Sequence, residues 1–211
     1  RVRELEAENS KLKKMFAELA LENAAIKEGE VPAGWEQDPK RLAHKDLDAR
    51  WAKKNEEKHY GYKDHIVADV TSKLIVRAEV TAANTHDSQV LDSLTRPGDP
   101  ETWADSAYTG EPCAAIFEAK GITAHVCEKG TRGHPLSKGQ ERSNRSKSRN
   151  RVRVEHIFGY MTGSMRAMYQ RVIGFARNRA GILMSNLVYN MSRVEQIIRL
   201  KLFGRRTPSL V

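Results

Sequence analysis

The sequence predicts a mixed α/β domain preceded by a long coiled-coil helix. Three observations favour this fold: heptad spacing of apolar residues over residues 1–28, strand and helix patterns that alternate over residues 59–127, and amphipathic helical patterns after residue 150. The predicted order is β-β-α-β-α-β followed by helices, which is typical of a mixed sheet flanked by helices. A chain of 211 residues is long enough for one domain with a sizeable core and an appendage.

The N-terminal 28 residues carry the heptad pattern. One seam position recurs every seven residues and holds Leu5, Leu12, Leu19 and Ile26, and the other holds Val2, Asn9, Phe16 and Asn23. Four heptads of this kind predict a paired helix, and therefore a homodimer through residues 2–26. The alternative is a single amphipathic helix that packs on its own domain. The pattern ends at Gly29, and residues 29–47 combine Pro and Gly with charged residues, which predicts a linker.

A globular domain is expected over residues 48–203, followed by a disordered tail at 204–211. Alternating apolar residues and turn residues predict its elements in this order: a strand at 59–70, a return strand at 74–81, a short helix at 87–94, a strand at 101–105, a helix at 111–120 stopped by Gly121, and a strand at 122–127. The first two strands form an antiparallel hairpin around the turn at residues 71–73.

The rest of the domain is basic. Residues 129–211 carry 18 Lys and Arg but only three acids, Glu141, Glu155 and Glu195. The stretch at 129–153, with Gly and Ser between its charges, predicts a mobile basic loop, and helices are expected at about 150–165 and 179–202. The apolar stripe predicted to pack the last helix comprises Leu183, Leu187, Met191, Val194 and Ile198.

This charge asymmetry indicates a polyanionic partner for the C-terminal half. The candidate DNA-binding residues are Arg142, Arg145, Lys147, Arg149, Arg151 and Arg153. A basic surface that only keeps the protein soluble is the alternative. No apolar run approaches the roughly 18 residues that a membrane span requires, so a membrane partner is not expected. The two cysteines, Cys113 and Cys127, lack metal-type spacing and predict reduced thiols.

Two carboxylates are candidates for chemistry. Asp105 comes at the end of an apolar strand pattern, and Glu155 lies inside a helical pattern flanked by arginines. Magnesium prefers oxygen ligands and often uses only one or two protein carboxylates. If the fold brings Asp105 and Glu155 together, they can ligate Mg²⁺ or Mn²⁺ over a phosphodiester. Arg151, one helical turn before Glu155, can hold that acid in place or contact a phosphate. The alternative is that neither acid is catalytic: Asp105 is then an ordinary turn residue, and Glu155 forms an ion pair on the surface.

Five strings carry a family resemblance. They are Asp-Ala-Arg-Trp-Ala-Lys-Lys at 48–54, Tyr-Gly-Tyr-Lys at 60–63, Val-Thr-Ala-Ala-Asn-Thr-His-Asp-Ser at 80–88, Trp-Ala-Asp-Ser-Ala-Tyr at 103–108 and Arg-Val-Glu-His-Ile-Phe-Gly at 153–159. Their order resembles the catalytic domain of bacterial insertion-sequence DDE transposases of the IS-five family. The resemblance implies a ribonuclease-H-like fold, metal-dependent DNA cleavage and strand transfer, and binding to transposon ends. It implies that Asp105 and Glu155 are the second and third catalytic acids, in a cytoplasmic, nucleoid-associated protein.

One part of the family pattern is missing. In the family, the first catalytic Asp lies on a strand upstream of the string at 48–54, in an Asp-Ala-Thr context, and no such string precedes Asp48 here. A coiled coil that resembles the zipper of the small regulatory protein of IS-three-type elements takes its place. We therefore expect a truncated domain that lacks its first strand and has little strand-transfer activity. The alternatives are a non-catalytic dimeric DNA-binding protein that interferes with an intact transposase, and a non-functional remnant.

Overall fold

A computed structural model describes residues 1–54 and 56–202, so the predicted tail at 204–211 lies outside the described residues. The chain divides into two compact units. Unit 1 comprises residues 1–63, 82–84 and 171–178, and unit 2 comprises residues 64–81, 85–170 and the chain from Arg179 onward.

The described residues form helices and strands in the expected order, with one strand (β1, Arg50–Lys54) and one short helix (α2, Pro39–Ala43) added. The α-helices are α1 (Val2–Glu28), α2 (Pro39–Ala43), α3 (Leu91–Leu94), α4 (Glu111–Ala119), α5 (Lys138–Gly163) and α6 (Phe175–Arg199). The strands are β1 (Arg50–Lys54), β2 (Glu57–Ala68), β3 (Ile75–Ala82), β4 (Thr102–Ala104) and β5 (Ala124–Val126). Short 3-10 turns cover Asp87–Val90 and Ser106–Tyr108.

The helix predicted over residues 1–28 is confirmed. Gly29 ends it with a left-handed backbone (φ 84°), and its N–H donates to the carbonyl of Ile26 at 3.0 Å. Glycine adopts this conformation without steric cost, which explains the stop. Ile26 is buried within unit 1, whereas Leu12 and Leu19 are 60 % and 54 % exposed. The seam is therefore open along most of α1, and its pairing stays a prediction.

The segment predicted as a linker contains local structure. Trp35 is only 5 % exposed, and its indole Nε1 donates to the Oε1 of Glu22 on α1 at 3.0 Å. Asp38 caps α2 by accepting hydrogen bonds from the N–H groups of Lys40 and Arg41. The Pro and Gly content of this segment marks turns, but the buried indole anchors it to the first helix.

The predicted hairpin is confirmed as β2 and β3, which are neighbours in a three-stranded sheet of order β1-β2-β3. Strand β1 was not predicted; it pairs antiparallel with residues 57–61, with Arg50 opposite Gly61. In unit 2, β2 is buried on both faces. Ala68 packs with Ile157 and Tyr189, while Val67 packs with Val90 and Leu94. Two-sided burial makes this strand part of the core rather than of a solvated face.

The remaining strands form a second sheet. Strands β4 and β5 are parallel, with Thr102 opposite Ala124, and α4 connects them. The helix ends at Ala119, and Gly121 follows in a left-handed conformation (φ 66°). A single mixed sheet was expected, but the described strands form two sheets, because β2 neighbours only β1 and β3, and β4 neighbours only β5.

The predicted basic loop is wrong over most of its length. Helix α5 begins at Lys138, where Ser137 and Gln140 form a capping box: the Ser137 hydroxyl accepts from the Gln140 N–H, and the Gln140 side chain accepts from the Ser137 N–H. Lys and Arg have high intrinsic helix propensity, and this cap satisfies free backbone donors at the helix start. The Gly and Ser residues that suggested a loop therefore lie mostly on a helix.

The stripe predicted to pack α6 is also wrong. Leu187, Met191 and Ile198 are 53 %, 64 % and 59 % exposed. The packed face carries Tyr189 and Asn190 instead. The Asn190 side chain accepts from the Ile75 N–H at 2.9 Å and donates to the Ile75 carbonyl at 2.8 Å. Amide pairing with the backbone of β3 turns the apolar stripe away from the strand.

Candidate active site

Asp105 directly follows β4 and is fixed by its own backbone turn. Its Oδ1 accepts a hydrogen bond from the N–H of Ala107 at 2.9 Å, so the side chain caps the 3-10 turn that follows. The other oxygen, Oδ2, contacts the Arg151 guanidinium. One carboxylate oxygen therefore sets the orientation of the group, while the other is directed towards α5.

Helix α5 is held in place by contacts on both sides of Arg151. Towards its C-terminal end, Ile157 and Met161 are fully buried in the main core of unit 2. Towards its N-terminal end, the Lys147 Nζ donates to the Val126 carbonyl at 2.8 Å, and Asn144 exchanges two hydrogen bonds with the backbone of Glu128. These contacts tie the middle of α5 to the ends of β4 and β5, which places Arg151 beside Asp105.

Arg151 joins the two predicted acids. Its Nη1 lies 3.3 Å from the Oδ2 of Asp105, and its Nη2 lies 3.3 Å from the Oε1 of Glu155. The side chains of Asp105, Arg151 and Glu155 are 39 %, 33 % and 60 % exposed, so solvent and ligands have access to all three. The contact that was expected between Arg151 and Glu155 is present. The second contact, to Asp105, was not predicted, because no sequence pattern links β4 to α5.

This group fits a divalent cation in its chemistry. The two carboxylates are oxygen ligands with two negative charges directed at one guanidinium, and Mg²⁺ or Mn²⁺ prefers such ligands. Across residues 1–54 and 56–202, no three His, Cys, Asp or Glu side chains cluster as a metal-binding group. A metal ion here would therefore depend on Asp105 and Glu155, with water and phosphate oxygens completing its coordination shell.

The remaining acids near these strands have other contacts. Asp64 on β2 accepts a hydrogen bond from the Asn186 side chain, and burial raises the pKa of Asp64 from 3.8 to about 6. Asp69 accepts hydrogen bonds from the backbone and hydroxyl of Ser72 within the β2–β3 turn. Both acids therefore have hydrogen-bond partners of their own within unit 2.

Asp87 lies closer to that group. Its Oδ1 is 3.4 Å from the Nδ1 of His65, whose Nε2 hydrogen-bonds the Thr81 hydroxyl at 2.8 Å. Burial, followed by the negative charges of Asp87 and Asp105, raises the pKa of Tyr108. Both acids therefore influence the same phenol. Thr81 and Asp87 come from the string at 80–88, whereas His65 lies on β2 outside it, so the sequence signal covered part of this arrangement.

The six candidate DNA-binding residues separate into two sets. Arg142, Arg145 and Arg149 are exposed and share one face of α5, because they are three, four and seven residues apart. We call them the basic stripe. Lys147, Arg151 and Arg153 are half-buried, and the first two already contact protein groups. The basic stripe is therefore the part of this set that faces solvent.

Comparison with known proteins identifies a family and curated relatives. The family model described as "Transposase DDE domain" matches residues 38–191. A transposase for insertion sequence element IS1106 from Neisseria meningitidis serogroup B is 33 % identical over 120 residues, which are 54 % of this chain and 40 % of that relative. The matched region thus spans less than half of the relative's length. No solved structure matches the chain.

Within the described residues, every helix is too short or too polar to cross a membrane.

Proposed function

Because the chain belongs to the transposase DDE-domain family, we propose that it is part of an insertion-sequence transposase that binds DNA at transposon ends. In this proposal residues 48–203 form a truncated DDE catalytic domain. Its fold is ribonuclease-H-like, and it belongs to the IS-five group of these transposases. Asp105 and Glu155 are its remaining metal ligands. The observation that carries the proposal is the contact of both acids with the guanidinium of Arg151.

The residues around the site have separate roles in this chemistry. Bound Mg²⁺ or Mn²⁺ would supply a Lewis acid that activates a water or a DNA 3′-hydroxyl and stabilises the leaving oxygen. The Ala107 N–H fixes the orientation of Asp105, and the buried half of α5 fixes the position of Glu155. Arg151 keeps the two negative charges together and can also contact a DNA phosphate. The basic stripe binds the phosphate backbone without reading sequence.

We further propose that this chain has little or no strand-transfer activity, because residues 1–47 hold no counterpart of the family's first acid. The arrangement of the strands supports this. Residues 64–68 of β2 extend beyond the segment that pairs with β1, and β4 pairs only with β5 among the described strands. If a strand between β2 and β4 were missing, one sheet would separate into the two sheets β1-β2-β3 and β4-β5. In the family, that strand carries the first catalytic Asp.

Residues 2–26 are proposed to form a homodimer through a coiled coil. The helix carries its heptad leucines exposed, and exposed apolar seams of this length are typical of helices that pair with a second copy. With DNA as its substrate, the dimer would act in the bacterial cytoplasm at the nucleoid.

A second function is favoured by the same lack of a counterpart of the family's first acid in residues 1–47. The dimeric chain would bind DNA through the basic stripe without cleaving it, and would interfere with an intact transposase at the same ends. This function needs no metal and depends only on α1 and the exposed arginines.

The test is a cleavage and strand-transfer assay on transposon-end DNA with Mg²⁺ or Mn²⁺, run beside a DNA-binding assay. We expect binding without cleavage, and unchanged binding in a variant that combines Asp105→Asn with Glu155→Gln. Robust metal-dependent cleavage that disappears in this variant would refute the inactivity and confirm the two acids. A wild-type chain that does not bind DNA even at low salt would refute both functions.

A further inference from the structure

A cavity of about 490 Å³ lies between α5, α6 and the turn that joins β2 and β3. Its walls include Lys73 from the turn, His156 and Tyr160 from α5, and Tyr189, Arg193 and Arg199 from α6. The cavity is thus surrounded by cationic and aromatic side chains from three elements.

Positive charge exceeds negative charge in this cavity. Glu195 is the acid in its wall, and that carboxylate pairs with Arg199 at 2.9 Å. Burial, followed by the positive charges of Arg153 and Arg193, lowers the pKa of Lys73. The Lys73 Nζ also lies 3.2 Å from the Nδ1 of His156. The positive charges of Lys73, Arg153 and Arg193 repel one another, and an anion placed among them would reduce that repulsion.

The turn that presents Lys73 is firmly held. Lys73 has a left-handed backbone (φ 60°), which is uncommon for a residue with a side chain. Its N–H donates to the Asp69 carbonyl at 2.8 Å, and its carbonyl accepts from the Tyr189 hydroxyl at 2.9 Å. The Arg193 Nε donates to the Ser72 carbonyl at 2.7 Å. The surrounding structure therefore enforces an unfavourable conformation, a situation that is common at ligand sites.

A buried donor near Lys73 supports the same interpretation. The Nε of Arg153 is buried and has no hydrogen-bond partner in the structure. Buried guanidinium N–H groups are normally paired, since an unpaired donor costs free energy. Arg153 acts on Lys73 electrostatically, so it contributes to the positive field in which an anion would bind.

The cavity continues the basic stripe. Along α5, Arg149, Arg153, His156 and Tyr160 follow one another at spacings of four, three and four residues, which place them on one helix face. Tyr160 is 43 % exposed and forms an open aromatic wall beside the cations. A DNA backbone bound along the basic stripe would therefore reach the cavity on the same face of α5. His156 follows Glu155 directly, so this face lies about 100° around the helix from that acid.

We propose that this cavity binds a phosphate group of DNA, with Lys73 and Arg193 as its cationic contacts and the ring of Tyr160 beside the neighbouring sugar or base. The proposal rests on the DNA binding proposed above, and it adds a specific phosphate site on a separate face of α5. A strand bound there would be held at a fixed position relative to Glu155. Aromatic rings beside cations are typical of sites for single-stranded segments.

The test compares Lys73→Gln with Lys129→Gln in the full chain. Both variants lose one positive charge, but Lys129 is exposed and does not line the cavity. The side chain of Lys73 does not make the hydrogen bonds that hold its turn, so its variant should fold; circular dichroism checks this. Binding to a DNA duplex with a single-stranded end is measured from low to physiological NaCl. Thermal stability is measured in sodium phosphate and in sodium chloride of equal ionic strength.

We expect Lys73→Gln to bind DNA at least about threefold more weakly than Lys129→Gln, with a slope of log affinity against log salt smaller by about one. Arg199→Gln should change in the same direction. Equal binding by the Lys73 and Lys129 variants would overturn the cavity as a DNA site and leave the proposed function intact. If phosphate stabilises the wild type but not Lys73→Gln, while DNA binding is equal, the cavity is a free-anion site and the assignment to DNA is wrong. Absence of DNA binding by the wild type would overturn both proposals.

Discussion

Asp105 and Glu155 contact the same guanidinium group, that of Arg151, at 3.3 Å each, although one acid follows a strand and the other lies in the middle of a helix. The two contacts have the same length and use different nitrogens of Arg151. Arg151 therefore bridges two carboxylates that come from two separate elements. We base the proposed cation site on this bridge.

Replacing Arg151 should increase the response to divalent metal. In Arg151→Gln the two carboxylates no longer share a protein cation, so Mn²⁺ does not compete with the guanidinium for their oxygens. We expect added Mn²⁺ to raise the melting temperature of this variant more than that of the wild type. Without metal, the free energy of unfolding should fall by no more than about 1 kcal/mol, because the ion pairs are half-exposed.

The matched control is Arg149→Gln, which removes the same charge from the exposed face of α5. Its response to Mn²⁺ should equal that of the wild type. If Arg151→Gln and Arg149→Gln respond alike, Arg151 does not compete with a metal at these acids.

Asp64 predicts a specific dependence of stability on pH. Burial raises its pKa to about 6 in the folded state, above the ordinary 3.8, so the folded state binds the proton more strongly than the unfolded chain. Stability therefore falls as pH rises from about 4 to about 6, and the full loss is present at pH 7. In addition, the Oδ2 of Asp64 and the Oδ1 of Asn186 are buried acceptors without a hydrogen-bond partner in the structure.

Asp64→Asn should remove this loss, since a neutral amide needs no proton and can donate to Asn186. We expect the free energy of unfolding at pH 7 to rise by about 1–3 kcal/mol, with the gain shrinking towards pH 4. Urea denaturation at several pH values measures it. Glu118→Gln, at an exposed position on α4, should show no such gain. A gain that is independent of pH would mean that ionisation of Asp64 is not its cause.

The proposed coiled coil predicts a dimer that single substitutions disrupt. Leu12→Glu or Leu19→Glu introduces a charge into the seam and should shift the protein to monomers in sedimentation experiments at micromolar concentration. Lys14→Glu, on the outer face of the same helix, should leave the dimer intact. A wild-type chain that sediments as a monomer over the same range would show that α1 does not pair.

The basic stripe predicts a strong salt dependence of DNA binding. Arg145→Gln combined with Arg149→Gln should lower the slope of log affinity against log salt by about two, because each phosphate contact contributes about one. The loss should be similar for unrelated DNA sequences, since phosphate contacts carry no sequence information. An unchanged slope would place the DNA on another surface.

Local patterns in the sequence were sufficient to predict several elements. The heptads and Gly29 defined α1, and the alternation on either side of residues 71–73 defined the β2–β3 hairpin. A strand ending at Asp105 was also predicted, and β4 ends one residue earlier, at Ala104. In each case the sequence pattern that predicts the element lies within one short segment. Helix caps, turn residues and the spacing of apolar side chains determine the local structure there.

Interactions between distant segments were not predictable. The basic residues of α5 suggested a loop, because its anchoring contacts with Val126 and Glu128 are not visible in the segment itself. The packed face of α6 depends on Asn190, an amide that pairs with a strand backbone, which a search for apolar stripes overlooks. The contact between Arg151 and Asp105 likewise depends on the approach of α5 to β4.

The most direct test of the shared cation site is Mn²⁺ binding measured by electron paramagnetic resonance on the full chain, in the wild type and in Asp105→Asn combined with Glu155→Gln. Both substitutions keep the side-chain size, and circular dichroism with thermal melting checks that the variant is folded. We expect the wild type to bind Mn²⁺ and the variant to bind it at least about tenfold more weakly. Equal Mn²⁺ binding by the two folded proteins would contradict a cation site between Asp105 and Glu155.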